Sequence, residues 1–414
     1  MIKLNALLVL GLSCLATFVK GQSDFTLKNI RSENSDTRET VEIRIDPTSA
    51  LANEGISNIA ESITYLPLQT TKESAFGDVT QLEVTDNLYI IWDKVSNCIL
   101  FFDKKGGFVT KISSADRSLP KPYLKIDHFT VNEAKNELMF NDRWSPYLYF
   151  FTLEGKFIKC VEKPEYLGYS YINFGDFGVY YQSYKTDFLK KMKAPLGNLI
   201  IKDKNNNAAV LLPIDTTSIK DFREVLGVDR NLYDNHDGVV YITNTYDYKV
   251  YSLDTKAKVR TAFRFVMPAL NTLPDDFLTN DKYKGQRKAY TNAKGDVIYA
   301  LTNFYKRGNN LLFNFKGHSR DQTMSFNLKT QNLACLSDML PDKLTHDLPF
   351  MGEPSVTVDK SNGVIMSVSS GLLFDYKARL QGKKEWAANL PESLKTFFKK
   401  GSQQNPVLAI MTLK

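Results

Sequence analysis

Asn141-Asp142-Arg143-Trp144 sets an amide, a carboxylate, a guanidinium and an indole side by side. Such a group can hold a sugar or a peptide, the polar heads taking hydroxyls or amides and the indole acting as a stacking platform. The plainer reading is an Asp–Arg surface pair beside a tryptophan packed between sheets. His318-Ser319-Arg320-Asp321 supplies residue types used in acid–base work, and its arginine suits an anionic group. Nothing fixes its geometry, so a solvated polar loop stands against that reading. Tyr246 and Asp247 offer an aromatic and acidic wall, with simple packing as the alternative.

Other chemistry finds little support. The four histidines, His128, His236, His318 and His346, show no HxH or HExxH spacing, and each alone fits a structural role better than a ligand role. There is no GxSxG, phosphate loop, EF-hand run or Asp-rich calcium repeat. No catalytic residue, metal site or cofactor is expected from these patterns, although a site assembled from several distant segments stays open.

The elements that must position these residues are short strands. Residues 78–113 hold four strand-like runs, at 80–85, 88–93, 98–103 and 108–112, each rich in β-branched, aromatic or aliphatic side chains. Turn formers such as Asp86-Asn87 and Lys104–Gly107 separate them. Connections this tight force antiparallel neighbours, giving a four-stranded meander. One such sheet has two apolar faces and cannot bury both, so it must be one of several copies.

The copies are visible. Phe101-Phe102-Asp103 with Phe108-Val109 matches Phe150-Phe151-Thr152 with Phe157-Ile158, 49 residues later. Further copies follow at 199–203 with 208–214 and at 249–254 with 259–265, and looser fifth and sixth sets fill the remainder. Strands alone at a period of about 50 residues point to an all-β, six-bladed β-propeller of four-stranded antiparallel blades. Joining 63–68 to 407–413 completes the sixth blade from both chain ends and closes the ring. Pro67 suits an outermost strand there. The expected division is a signal peptide at 1–21, an extended lead-in at 22–62 with one strand-like run at 40–45, and one propeller domain at 63–414. A short helix is expected near 274–280 and another at 390–400, where Leu390, Leu394, Phe397 and Phe398 share a face.

The first 21 residues carry Lys3, an apolar run and small residues at Val19 and Gly21, the anatomy of a secretory signal. A competing reading makes Leu12-Ser13-Cys14 a lipoprotein box with Cys14 acylated. Either sends the protein out of the cytoplasm, to the periplasm, the outer-membrane surface or beyond. No later stretch reaches membrane-spanning length. The formal charge of +7 is mild for 414 residues, and the lysines are scattered without an arginine stripe, which excludes nucleic acid as the natural partner.

Ile63-Thr-Tyr-Leu-Pro-Leu-Gln-Thr-Thr-Lys-Glu-Ser, Tyr89-Ile-Ile-Trp-Asp and the terminal Asn405-Pro-Val-Leu resemble the exported six-bladed, NHL-repeat-like propellers of Bacteroides-type bacteria. The resemblance covers about residue 43 to the end, and it implies export and a propeller but no reaction. A Gly-rich run usual after the first blade is replaced by residues 114–123. Propeller ligands gather at one channel mouth, on loops between second and third strands and between blades. By this register those loops include 141–147, 184–196, 244–248, 317–322, 114–125 and 336–354. The leading expectation is a non-catalytic propeller recognising a glycan, a peptide or an envelope protein there. The alternative is a lyase or hydrolase whose site is shared among blades.

Overall fold

A computed structural model describes residues 26–414 except 117–118, 169, 216–218, 220, 320, 353–355, 381 and 383–385. The signal segment 1–21 and Cys14 lie outside the described residues. The described strands form six sheets arranged as the blades of a propeller. Blade 1 is Gln81–Val84, Leu88–Asp93, Cys98–Asp103 and Phe108–Ile112, and blade 2 is Ile126–Asn132, Glu137–Asp142, Tyr147–Thr152 and Phe157–Glu162. Blades 3, 4 and 5 begin with inner strands Ser170–Phe174, Leu232–Asp234 and Ala300–Arg307. Blade 6 takes Val356–Val358 and Val364–Val368 from late in the chain, then Val407–Leu413, and finally Ala60–Pro67 as its outermost strand. The last two pair antiparallel from Val407 opposite Pro67 to Leu413 opposite Ala60, so the ring closes as expected.

Each strand alternates faces, and both faces of a blade are apolar because each sits against a neighbouring blade. Ile90, Phe101, Phe129, Phe140, Tyr149 and Phe151 fill the space between blades 1 and 2. Phe140 stacks on Tyr149 and Phe151 with ring centroids 5.2 and 5.7 Å apart. A larger cluster joins blades 4 to 6 and buries Leu394, Phe397 and Phe398 of the helix Glu392–Lys399. That helix lies where its apolar stripe placed it. The helix expected near 274–280 is instead a set of turns, and the helix of that insertion comes later, at Arg287–Asn292. Pro274 and the two aspartates after it favour the turns.

The polar segment before the ring is a belt. Lys28–Ser32 adds to blade 3 as a fifth strand, parallel to Asn207–Pro213. Val41–Arg44 does the same on blade 4, parallel to Val259–Val266. Leu51 and Gly55 then bridge to Ala334 and Leu340 beside blade 5. The strand-like run at 40–45 is thus a real strand; the one at Lys28–Ser32 carried no sequence signal, being almost wholly exposed.

Candidate ligand-binding mouth

All inner strands run the same way, so the two channel ends differ. One end carries the short turns from first to second strands. The other carries every long connection: 182–196, 214–231, 267–299, 336–355 and 369–406. This loop-rich mouth also holds the four residues 141–144.

Asp142 closes the second strand of blade 2 and is fully buried. Its carboxylate accepts backbone N–H groups from Leu124 (2.7 Å), Lys125 (2.9 Å) and Trp144 (3.1 Å), which locks the loop to the preceding inter-blade segment. Burial works to raise its pKa, but these bonds outweigh burial and hold it below the usual carboxylate range. Lys163 donates to the Asp142 carbonyl. Asn141 is buried and faces Asp127 at 3.4 Å, and Arg143 pairs with Asp127 at 3.6 Å while lying 5.6 Å from the Trp144 ring. Arg143 thus forms a surface pair, but with Asp127 and not with its neighbour Asp142, and the indole is not packed between blades. Trp144 is 70% exposed, with Leu124 at 63% and Val95 at 75% on the adjoining loops.

Next to that rim a cup of about 340 Å³ enters the channel, lined by Asp78, Gln81, Lys94, Arg230, Thr302 and Asp321 among others. Four of its charges form pairs, Lys94–Asp78 at 3.3 Å and Lys316–Asp321, and Asp229 lines it outside those pairs. At its floor Arg230, from the loop leading into blade 4, reaches Glu83 of blade 1 at 2.9 Å, bridging opposite sides of the ring. Gln81 holds that glutamate at 2.9 Å and also bonds the Phe129 backbone. Arg230 and Glu83 stand 147 residues apart in sequence, and no local signal could have joined them.

The remaining sequence candidates scatter. Asp321 lines the cup, and His318 is exposed beside Tyr299, 5.6 Å between ring centres. Arg320 lies outside the described residues. Tyr246 is buried in a separate cap, where its hydroxyl accepts the Leu226 N–H at 3.0 Å and burial pushes its pKa up to about 12. Asp247 accepts from Lys249 N and from the Tyr251 hydroxyl at 2.8 Å.

That cap rises over blades 3 and 4 from the inserted loops, packing Tyr184, Val225, Tyr246, Phe277 and Tyr283 together. Its centre is an ion pair, Arg287–Glu224 at 3.0 Å, with Arg287 fully buried. The arginine also donates to the carbonyls of Phe277 (3.0 Å) and Leu278 (3.2 Å). Among the described residues, no group of three or more His, Cys, Asp or Glu is placed to hold a metal ion. No helix among them is long and apolar enough to cross a membrane.

Residues 42–412 match the profile of a domain of unknown function, DUF4934. The chain belongs to that family. No curated protein matches the sequence. Among solved structures, the family member described here is similar to a Bacteroides fragilis protein described as exported, at a TM-score of 0.67 and 15% identity over 90% of this chain and all of that one. It is also similar to a DUF4221 member from Bacteroides vulgatus, at 0.43 and 11% over 86% and 97% of the two chains. A virginiamycin B lyase from Staphylococcus aureus follows at 0.38 and 11% over 73% and 81%. These likenesses concern the fold, and the last two are too distant to bring chemistry with them. The expected resemblance to the Bacteroides propellers holds at the level of the fold.

Proposed function

We propose that this protein is an exported, non-catalytic propeller that binds a glycan at its loop-rich mouth. The observation that carries this reading is Trp144, an indole left largely in water on a loop that Asp142 otherwise locks in place. An exposed indole on a loop whose backbone is pinned offers a flat apolar face for the C–H face of a sugar, and the backbone has little ordering entropy left to lose on binding. Arg143 beside it and the paired charges, amides and hydroxyls of the neighbouring cup supply both donors and acceptors for sugar hydroxyls. The signal segment expected from the sequence is consistent with a ligand met outside the cytoplasm.

The test is a glycan array probed with purified protein, with a peptide array alongside, followed by calorimetry on the best ligand with wild type and Trp144→Ala. The expected result is retention of at least one glycan class and a loss of about tenfold or more on removing the indole. Binding to peptides alone, turnover of the retained glycan, or undiminished affinity in Trp144→Ala would overturn the reading.

A further inference from the structure

On the basis that the Trp144 rim binds a glycan, we propose that this glycan is acidic, its carboxylate or sulfate groups met by lysine ammoniums set around the indole. Three segments lie side by side there: 94–97, 124–126 and 142–144. Asn97 donates from Nδ2 to the Leu124 carbonyl at 3.1 Å and accepts the Ile126 N–H at 2.9 Å. The Arg143 N–H donates to the Lys125 carbonyl at 2.6 Å, and the Asp142 carboxylate accepts N–H groups from Leu124, Lys125 and Trp144. The three segments are thus bound into one rim.

Three lysines of this rim are held in place by neutral acceptors. Lys125 Nζ donates to the Lys94 carbonyl at 2.7 Å, next to Val95, and Lys163 Nζ donates to the Asp142 carbonyl, next to Arg143. Lys121 Nζ donates to the Tyr147 hydroxyl and stands 4.0 Å from the centre of that ring, at the start of the strand that follows the Trp144 loop. Among the described residues none of the three has a carboxylate within 4.0 Å. An ammonium carries three N–H donors, so one bond each leaves two for a ligand. Lys163 is also half-buried, and burial holds its pKa below the ordinary lysine value against the pull of Asp142 and Asp127. An anion beside it offsets that desolvation.

The nearby carboxylates leave this charge uncancelled. Asp93 and Asp142 are fully buried, and their charge is met by backbone N–H groups, those of Val95 and Ser96 at 3.1 Å on Asp93 and three on Asp142. Asp78 pairs with Lys94 at 3.3 Å and Asp127 with Arg143 at 3.6 Å. Asp116 is followed directly by Arg117 in the sequence, so the two add no net charge. Glu162 is exposed and forms no ion pair among the described residues. Three unpaired ammoniums thus stand against one unpaired carboxylate, an excess that suits an anionic ligand. A neutral sugar offers them only hydroxyls, whereas a carboxylate or sulfate takes charge-assisted hydrogen bonds from them.

Acidic members are expected to dominate what a glycan array retains. Calorimetry on the full chain then compares tetragalacturonate with its methyl ester, and a sulfated cello-oligosaccharide with its unsulfated parent. The charged member of at least one pair is expected to bind about tenfold or more tightly than the neutral one, and to weaken as sodium chloride is raised. The pair that shows the gap assigns the anion as carboxylate or sulfate. Lys121→Gln combined with Lys125→Gln, both at the surface, is expected to remove several-fold of that affinity and to flatten its salt dependence. Retention of neutral glycans alone, no preference for the charged member of either pair, or unchanged affinity in the double variant overturns the proposal. Neutral glycans that bind and are lost in Trp144→Ala leave the glycan reading standing without it, whereas an array that retains no glycan removes that reading itself.

Discussion

Blades 1 and 2 present bare outer strands and low loops, whereas blades 3 and 4 are covered twice, by the belt at their edges and by the cap over their mouth. On blade 3 the difference follows from the edge itself. The outer strand of blade 3, Asn207–Pro213, has no charged residue, and an open edge of that kind invites pairing with other chains. Lys28–Ser32 occupies it. On blade 4 the outer strand carries Arg260 and Arg264; Glu39 reaches the first at 3.3 Å, and Glu42 sits opposite the second. The outer strands of blades 1 and 2 carry Lys111 and Lys159 and a register shift each, devices that discourage edge pairing without a cover; blade 4 has such devices too, and is covered all the same. The bare side displays Val95, Leu124 and Trp144 to solvent, and the covered side Val41, Met192 and Leu270. An exposed apolar group on the self-sufficient side is better explained by recognition than by folding.

The sharpest way to break this contrast is to remove the belt strands. Deleting residues 28–44 is expected to lower the unfolding midpoint by on the order of 10 °C and to cause concentration-dependent association, read by calorimetry and light scattering. An unchanged midpoint would show that blades 3 and 4 need no cover. The cap comes next. Arg287→Met leaves Glu224 buried with the Gly285 N–H but without its cation, and a loss of about 3–5 kcal/mol is expected in denaturant unfolding. Glycan affinity at Trp144 should survive it, because the two lie on different sectors.

The smallest effect is expected on the bare side. Asp142→Asn removes the charge that accepts three backbone N–H groups and should cost about 2 kcal/mol. Because the folded state holds the Asp142 pKa below its ordinary value, its contribution is complete above about pH 4 and disappears as pH falls through the folded-state pKa. Thermal midpoints between pH 6 and 3 should therefore drop more steeply in wild type than in the asparagine variant. Parallel curves would mean the carboxylate does not anchor the loop.

The same contrast explains what could be read in the sequence. Blades 1 and 2 are legible because their strands pair across turns of a few residues and keep both faces apolar, as 98–103 and 147–152 do. The belt is not, because Lys28–Ser32 is exposed on both faces and its partner lies about 180 residues away, beyond any local pattern. Asp142 and Trp144 were visible as neighbours in one loop, although only the fold reveals that the first is buried and the second is not. Tyr246 looked similar in sequence and serves a cap core instead, since its role depends on insertions that have no repeat to compare with. The Arg230–Glu83 floor required the ring to exist first.

Trp144 is the exposed tryptophan of three, Trp92 being half-buried and Trp386 buried, so acrylamide quenching of tryptophan fluorescence reports on it selectively. With a saturating amount of the glycan chosen by the array, the quenchable component should be lost and the emission should shift to shorter wavelength. Quenching that stays the same at saturation would contradict a glycan site built on this indole.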